Sequence, residues 1–124
     1  IIYRVFYKRL AAIHRKSYTF AIQIVKLAQS LQKEQKEFVI SNQVLRSGTS
    51  IGALIREAEF AQSHADYINK FYINLKEANE TSYWLNLLKD TGYIDKNNLT
   101  NLEKENKELI AMLVATVKTL KSKE

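Results

Sequence analysis

Residues 45–88 have the sequence LRSGTSIGALIREAEFAQSHADYINKFYINLKEANETSYWLNLL, in which apolar residues recur at helical spacing. The same run places charges of both signs among the apolar residues, including Arg56, Glu57, Lys76, Glu77 and Glu80. A helix face that mixes apolar residues with opposite charges finds its partners on neighbouring helices. This stretch therefore predicts the centre of an all-α protein.

The composition of the whole chain also favours long helices. The chain of 124 residues fits one domain. It contains no proline and only three glycines, the residues that most often indicate turns, so few turns are predicted. It contains no cysteine, which excludes disulfides and thiolate chemistry and suits a reducing cytoplasm. No apolar run approaches the ~18 residues of a membrane helix. We therefore expect a cytoplasmic protein with no membrane span.

The net charge of +6 is concentrated at the start of the chain. Residues 1–16, IIYRVFYKRLAAIHRK, contain five cations and no acid, whereas the remaining residues hold 14 Lys or Arg against 13 Asp or Glu. Three interpretations fit this segment: an amphipathic surface helix, a phosphate-contacting arm, or a leader outside the fold. We treat residues 1–16 as a basic aromatic extension, as a short helix or disordered, and residues 17–124 as a four-helix bundle.

Four helical segments are predicted within residues 17–124, at about 17–33, 38–61, 63–91 and from 95–100 onward. Ser63 suits the N-cap of the third segment and Gly92 its left-handed end, and Thr100 with Glu103 suits a capping box for the fourth. Gly48 and Gly52, four residues apart, predict either close approach by a neighbour or a kink. Four long helices with short loops predict an antiparallel up-down-up-down bundle.

The first predicted helix has two adjacent apolar stripes. Phe20 and Ile24 belong to one stripe, and Tyr18, Ile22 and Val25 belong to the other. One bundle does not cover so broad a face, so we expect a symmetric oligomer to bury the remainder.

Catalytic and metal-binding patterns are weak. Glu57, Glu77 and Glu80 resemble the inward carboxylates of di-iron bundles, but the Glu-x-x-His pairs of those sites are missing. We expect these acids to pair instead with Arg56, Lys70 and Lys76 and to fix the register of the helices. No nucleophile motif, phosphate loop or dinucleotide fingerprint is present. The sequence predicts a non-enzymatic protein without a cofactor or a small-molecule substrate.

Several motifs together resemble a known family. SxGxSIGAxIREA, AQS, KEAxET and YWLxLL occur in that order, preceded by RKSYTFAIQIVKLAQSL. The chain resembles, over about residues 16–121, the four-helix-bundle proteins encoded by intervening sequences inside bacterial 23S rRNA genes. The resemblance implies a cytoplasmic bacterial protein, a left-handed bundle that assembles into a homopentamer, and no enzymatic activity.

We expect rRNA or another structured nucleic acid as the partner. A group related to the family that the chain resembles, the accessory proteins of diversity-generating retroelements, shares the pentameric bundle and binds nucleic acid and a reverse transcriptase. A protein-interaction scaffold without a nucleic-acid role is the alternative. The candidate phosphate-contacting residues are the cations of the first 16 residues and three others: Arg4, Lys8, Arg9, Arg15, Lys16, Lys26, Arg46 and Arg56.

Overall fold

The computed structural model describes the backbone of residues 2–122 and the side chains of residues 4–122. Residues 1, 123 and 124, which fall in the two ranges assigned from the sequence, lie outside the described part. Four α-helices and no strand occur within it: α1 (Ile2–Gln35), α2 (Val39–Ala58), α3 (His64–Asp90) and α4 (Lys96–Lys121). The prediction of an all-α protein with four helices is confirmed.

Helix α1 begins much earlier than the sequence suggested. We expected its start near Ser17, but it is continuous from Ile2 to Gln35. Phe6 and Ile13 are 7 % and 0 % exposed and belong to the same core as Phe20. The apolar period of the helix thus extends back to Phe6, because core positions recur at steps of three and four. The boundary drawn between residues 16 and 17 falls inside one helix.

A glutamate side chain caps the start of helix α2. Lys36 has a left-handed φ of 55°, which ends α1. Both carboxylate oxygens of Glu37 then accept hydrogen bonds from the first amides of α2, those of Val39, Ile40 and Ser41. The carboxylate satisfies donors that would otherwise lack an intrahelical partner. Helix α2 therefore begins one residue later than expected, and it ends at Ala58 rather than Ala61.

The other two helix starts also have side-chain caps. The Ser63 hydroxyl accepts a hydrogen bond from the Asp66 amide at 3.1 Å, which confirms Ser63 as the cap of α3. Gly92, with a φ of 82°, follows the end of that helix as expected. The capping box proposed for α4 is wrong, because Asp95 caps this helix and Thr100 lies within it. Inside the helix, the Thr100 hydroxyl donates to a carbonyl one turn earlier.

Helix α1 packs against α2 and α4, and α3 packs against the same two helices. Gly48 permits the contact between α1 and α2, because a Cβ atom there would lie 2.9 Å from the Cγ atoms of Ile24. This geometry confirms the close approach predicted for Gly48. At Gly52 the nearest atom would be the Ser17 hydroxyl at 3.4 Å, an ordinary contact.

Buried polar side chains link the helices inside the core. Asn74 Nδ2 donates to the Ile51 carbonyl at 3.0 Å and so joins α3 to α2. Asn106 Nδ2 donates to the Ala78 carbonyl at 2.9 Å and joins α4 to α3. Such bonds are strong constraints at low local dielectric, because slipping a helix by one residue would leave a buried amide without a partner. They fix the register on which the surface patterns depend.

One apolar stripe of α1 remains on the surface. Tyr18, Ile22 and Val25 are 60 %, 41 % and 36 % exposed, while the neighbouring stripe that contains Phe20 and Ile24 is buried. The double face predicted from the sequence thus divides into a core stripe and an exposed stripe. We call Tyr18, Ile22 and Val25 the exposed apolar stripe.

Candidate nucleic-acid interface

Exposed cations form a ridge along the outer side of α1. They occur at spacings of four, seven and eleven residues, which place them within a narrow sector of the helix. All are exposed, and none forms an ion pair with a described carboxylate. The members of this α1 ridge are Arg4, Lys8, Arg15, Lys26 and Lys33.

A second ridge lies on the outer side of α4. Lys104, Lys107 and Lys118 are exposed there, and they also have no ion-pair partner among the described residues. The 14 residue steps from Lys104 to Lys118 span ~21 Å at 1.5 Å per residue. We call these three lysines the α4 ridge, and the two ridges together the basic face.

Three side-chain contacts join α1 to α4 in the groove between the ridges. Arg9 donates to the Thr119 hydroxyl at 3.2 Å. Lys16 pairs with Glu108 at 3.3 Å, and Gln23 donates to Glu105 at 3.3 Å. Arg9 and Lys16 are therefore held at the inner edge of the basic face, while the ridge cations remain available to a ligand.

Charge is distributed unequally between the two halves of the protein. Helices α1 and α4 together contain 12 Lys or Arg and 4 Asp or Glu, whereas α2 and α3 contain five of each. The net charge of the residues beyond 16 is nearly zero, so it does not reveal this difference between helices. A surface with an excess of one charge concentrates counter-ions and attracts ligands of opposite charge.

On the α2–α3 side, Arg46 is bound by two carboxylates. Its guanidinium donates to both oxygens of Glu77, at 3.1 and 3.3 Å, and to Glu80. The indole of Trp84 donates to the same Glu80 oxygen at 3.1 Å. The hydrogen bond from Arg46, followed by that from Trp84, lowers the pKa of Glu80 below its ordinary value. The two carboxylates thus compensate the positive charge of Arg46, so a phosphate would be attracted to it only weakly.

Of the expected partners of the three glutamates, Lys70 pairs with Glu57 as predicted, whereas Arg56 and Lys76 form no ion pair with a described carboxylate. The partner of Glu77 and Glu80 is Arg46, not Arg56 or Lys76, because helix register decides which residues face each other. Arg56 lies over the Tyr18 ring, 6.0 Å from its centroid, on the α1–α2 side. Lys70 lies 3.6 Å from Glu57, and Lys76 is exposed without an ion pair to a described residue.

We expect Glu80→Gln to reduce stability near neutral pH by about 1 kcal/mol or less, as a partly exposed pair should. The lowered pKa means that the native state favours the ionised carboxylate. The stabilisation is therefore present above the unfolded-state value of ~4.3 and is lost as pH falls through the lower native value. The free energies of unfolding of Glu80→Gln and the native chain should therefore approach each other as pH falls. Urea unfolding at several pH values between about 3 and 7 measures this difference.

Glu57→Gln serves as the control for that experiment, because it removes a carboxylate of 58 % exposure from the same pair of helices. The neutral-pH effect of Glu57→Gln should be the smaller of the two. A difference between Glu80→Gln and the native chain that stays constant across the whole pH range would contradict the role given to Arg46.

The two histidines contact different groups. His14 Nε2 lies 3.2 Å from Glu59, and His64 Nε2 lies 3.2 Å from the Leu120 carbonyl. Within residues 4–122, no three His, Cys, Asp or Glu side chains lie close enough together to hold a metal ion. No helix in the described part is both long and apolar enough to cross a membrane. The basic face is therefore the surface feature with the clearest chemistry.

Comparison with known proteins places the chain in a family. The family model described as "23S rRNA-intervening sequence protein" matches residues 10–115. The chain belongs to the 23S rRNA-intervening sequence protein family. This membership confirms the resemblance seen in the sequence motifs. A search of curated proteins found no match.

A solved structure of a related protein agrees with this family assignment. It is a protein of unknown function from the S23 ribosomal protein family of Bacteroides thetaiotaomicron VPI-5482, with 52 % sequence identity and a TM-score of 0.87. The match covers 89 % of this chain and 98 % of that one. The helical fold is thus shared with an experimentally determined member.

The sequence patterns of this family member did not reveal the α4 ridge or the place of Lys33 on the α1 ridge. The α4 ridge lysines occur at spacings of 3 and 11 residues, a helical signal that is present in the sequence. Glu103 precedes these lysines in the chain, and Glu105 and Glu108 lie between them. All three acids point toward other helices, where they contact Lys89, Gln23 and Lys16, respectively. The lysines and the glutamates of α4 therefore lie on different sides of the helix, which a count of charges along the chain does not show.

Proposed function

We propose that this family member is a non-enzymatic, oligomeric bacterial protein of the cytoplasm that binds structured RNA, with rRNA as the preferred partner, through its basic face. The observation that carries the proposal is the set of eight exposed cations on the α1 and α4 ridges. Phosphate contacts by Lys and Arg supply most of the affinity of proteins that bind nucleic acid without reading its sequence. The family's link to 23S rRNA names a suitable RNA.

The contacts of the sequence-predicted cations narrow the binding surface. Arg4, Lys8, Arg15 and Lys26 lie on the α1 ridge, and Arg9 and Lys16 border the groove. Arg46 is neutralised by carboxylates, and Arg56 lies on the α1–α2 side. The proposed surface therefore keeps the α1 cations, adds the α4 ridge, and omits Arg46 and Arg56.

The proposal also includes the direction of the helices and the assembly of several copies. Arg9 lies beside Thr119, and Lys16 lies beside Glu108, so contacts move down α4 as they move up α1. These contacts support an antiparallel up-down-up-down bundle, which we take to be left-handed. The exposed apolar stripe supports a homo-oligomer, for which family resemblance suggests five copies. In a ring, five basic faces would act on one RNA and strengthen weak individual contacts.

The RNA-binding proposal is tested by a salt titration of binding to a 23S rRNA fragment. The triple variant Lys104→Gln, Lys107→Gln, Lys118→Gln should weaken binding. It should also reduce the steepness of log K against log salt by about one for each phosphate that the variant no longer neutralises. The control triple variant, Lys70→Gln, Lys76→Gln, Lys89→Gln, removes the same total charge from α3. Any difference between the two variants therefore reports the position and the pairing of the charge, not its sum.

Two outcomes would reject this proposal. Equal weakening by both triple variants would show that only net charge matters and that the basic face is not the site. No binding by the native protein at ~50 mM salt, where phosphate attraction is strong, would favour a protein-interaction scaffold instead.

A further inference from the structure

A polar cavity of about 450 Å³ lies in the groove between the two ridges. Leu27 and Leu102 form an apolar part of its lining, and Leu102 is 6 % exposed. Polar side chains from both helices complete the wall, with Lys26 of the α1 ridge at one side. The polar lining residues used below are Gln23, Asn98, Asn101 and Glu105. The volume falls within the ~300–1,000 Å³ typical of small-ligand sites.

The lining offers hydrogen bonds that the protein does not use. Glu105 Oε1 accepts from Gln23, while its Oε2 accepts nothing from the described residues. The Asn101 amide has no hydrogen bond to a described residue either. The Asn98 amide nitrogen donates to Asp95 at 3.2 Å, which leaves the Asn98 carbonyl oxygen available. The α4 wall of the cavity therefore presents mostly acceptors, with the Asn101 amide as both donor and acceptor, while Lys26 supplies donors at the α1 edge.

The cavity wall carries both signs of charge, with Glu105 on α4 and Lys26 at the α1 edge. A phosphate on the α4 side of the cavity would meet the Glu105 carboxylate, which repels it. Lys26 at the edge, and the α4 ridge beyond it, offer favourable phosphate positions. A nucleotide that places its phosphate on a ridge lysine would thus direct its base into the groove, where an apolar wall contacts the base and polar groups contact its edge.

We infer that this cavity is a subsite for one unpaired nucleobase that carries an exocyclic amino group. The carboxylate accepts a hydrogen bond from the amino group of cytosine, and side-chain amides pair with adenine through its amino group and ring nitrogen. Uracil has no amino group. Its N3–H is the one donor on that edge, and it is flanked by two carbonyl oxygens that the Glu105 carboxylate repels. An unpaired base is required because paired bases in an A-form helix do not reach such a cavity. This inference rests on the RNA-binding function proposed above.

The test uses stem-loop RNAs with one common stem and loops of cytidine, adenosine or uridine, bound to the full-length protein. Cytidine and adenosine loops should bind at least about fivefold more tightly than uridine loops, the discrimination expected from specific base contacts. Glu105→Gln and Asn101→Ala should each reduce this ratio toward one. The control Lys107→Gln should weaken all three RNAs by the same factor, because it removes a phosphate contact. Circular dichroism of each variant checks that the fold is intact.

The outcomes separate the subsite from the RNA-binding function. Tight but equal binding of the three loops, unchanged by Glu105→Gln, would overturn the subsite and leave the basic face standing. Preference for amino-bearing loops that both cavity variants preserve would place base recognition elsewhere and also overturn it. If no stem-loop binds at low salt, the proposed function and the subsite both fail.

Discussion

A chain that lacks residues 1–16 should lose most of the stability of the full protein. Phe6 and Ile13, which are 7 % and 0 % exposed, contribute to the common core from this segment. Truncating one buried Ile or Phe commonly costs ~2–5 kcal/mol. Removing both, with the helix that carries them, should therefore cost about 5 kcal/mol or more, which is comparable to the whole stability of a small domain. Thermal unfolding followed by circular dichroism measures the loss.

Two point variants separate packing from charge in that experiment. Ile13→Ala should cost ~2–5 kcal/mol by itself because it opens a cavity in the core. Arg15→Gln, two residues away on the exposed α1 ridge, should change stability by less than ~0.5 kcal/mol. If the truncated chain and Ile13→Ala unfolded at the temperature of the full protein, residues 1–16 would be an extension independent of the bundle.

The packing of Phe6 and Ile13 also determines how the α1 cations can be tested. Deleting the segment would remove its positive charges and core residues together, so any loss of RNA binding would have two explanations. Glutamine substitutions at Arg4, Lys8 and Arg15 remove charge from exposed positions and leave the core residues in place. They are therefore the appropriate test of the α1 ridge.

Local sequence patterns predicted the helices well because their signals lie within a few residues of each other. The absence of proline, the apolar periods and the Ser63 cap each depend on short-range geometry. The start of α1 was the main exception. Phe6, Leu10 and Ile13 continue the core period, but the surrounding cations and aromatics also fit an arm or a leader, and periodicity alone did not decide between them.

The candidate site was less predictable because it depends on which helices are neighbours. Nothing within α2 or α3 alone indicates that Arg46 faces Glu77 and Glu80, since this pairing depends on the relative register of two helices. The cavity around Asn101 and Glu105 likewise forms only when α4 lies beside α1. Residues far apart in the chain create these features, and a single sequence without its packing does not specify their contacts.

Disrupting the exposed apolar stripe should dissociate the proposed oligomer. Native protein should scatter light as a species several times heavier than the 14.4 kDa chain, about five times heavier for a pentamer. Ile22→Lys together with Val25→Lys should yield monomers, because burying two ammonium groups at an apolar contact costs several kcal/mol for each ion. Each native side chain is at least 36 % exposed, so the folded monomer should tolerate the lysines.

Val114→Lys provides a control matched in exposure, since Val25 and Val114 are both 36 % exposed but lie on different helices. This variant should remain oligomeric if α1 forms the contact between copies. A native protein of 14.4 kDa at micromolar concentration would refute oligomerisation itself, and dissociation by Val114→Lys alone would move the contact to α4.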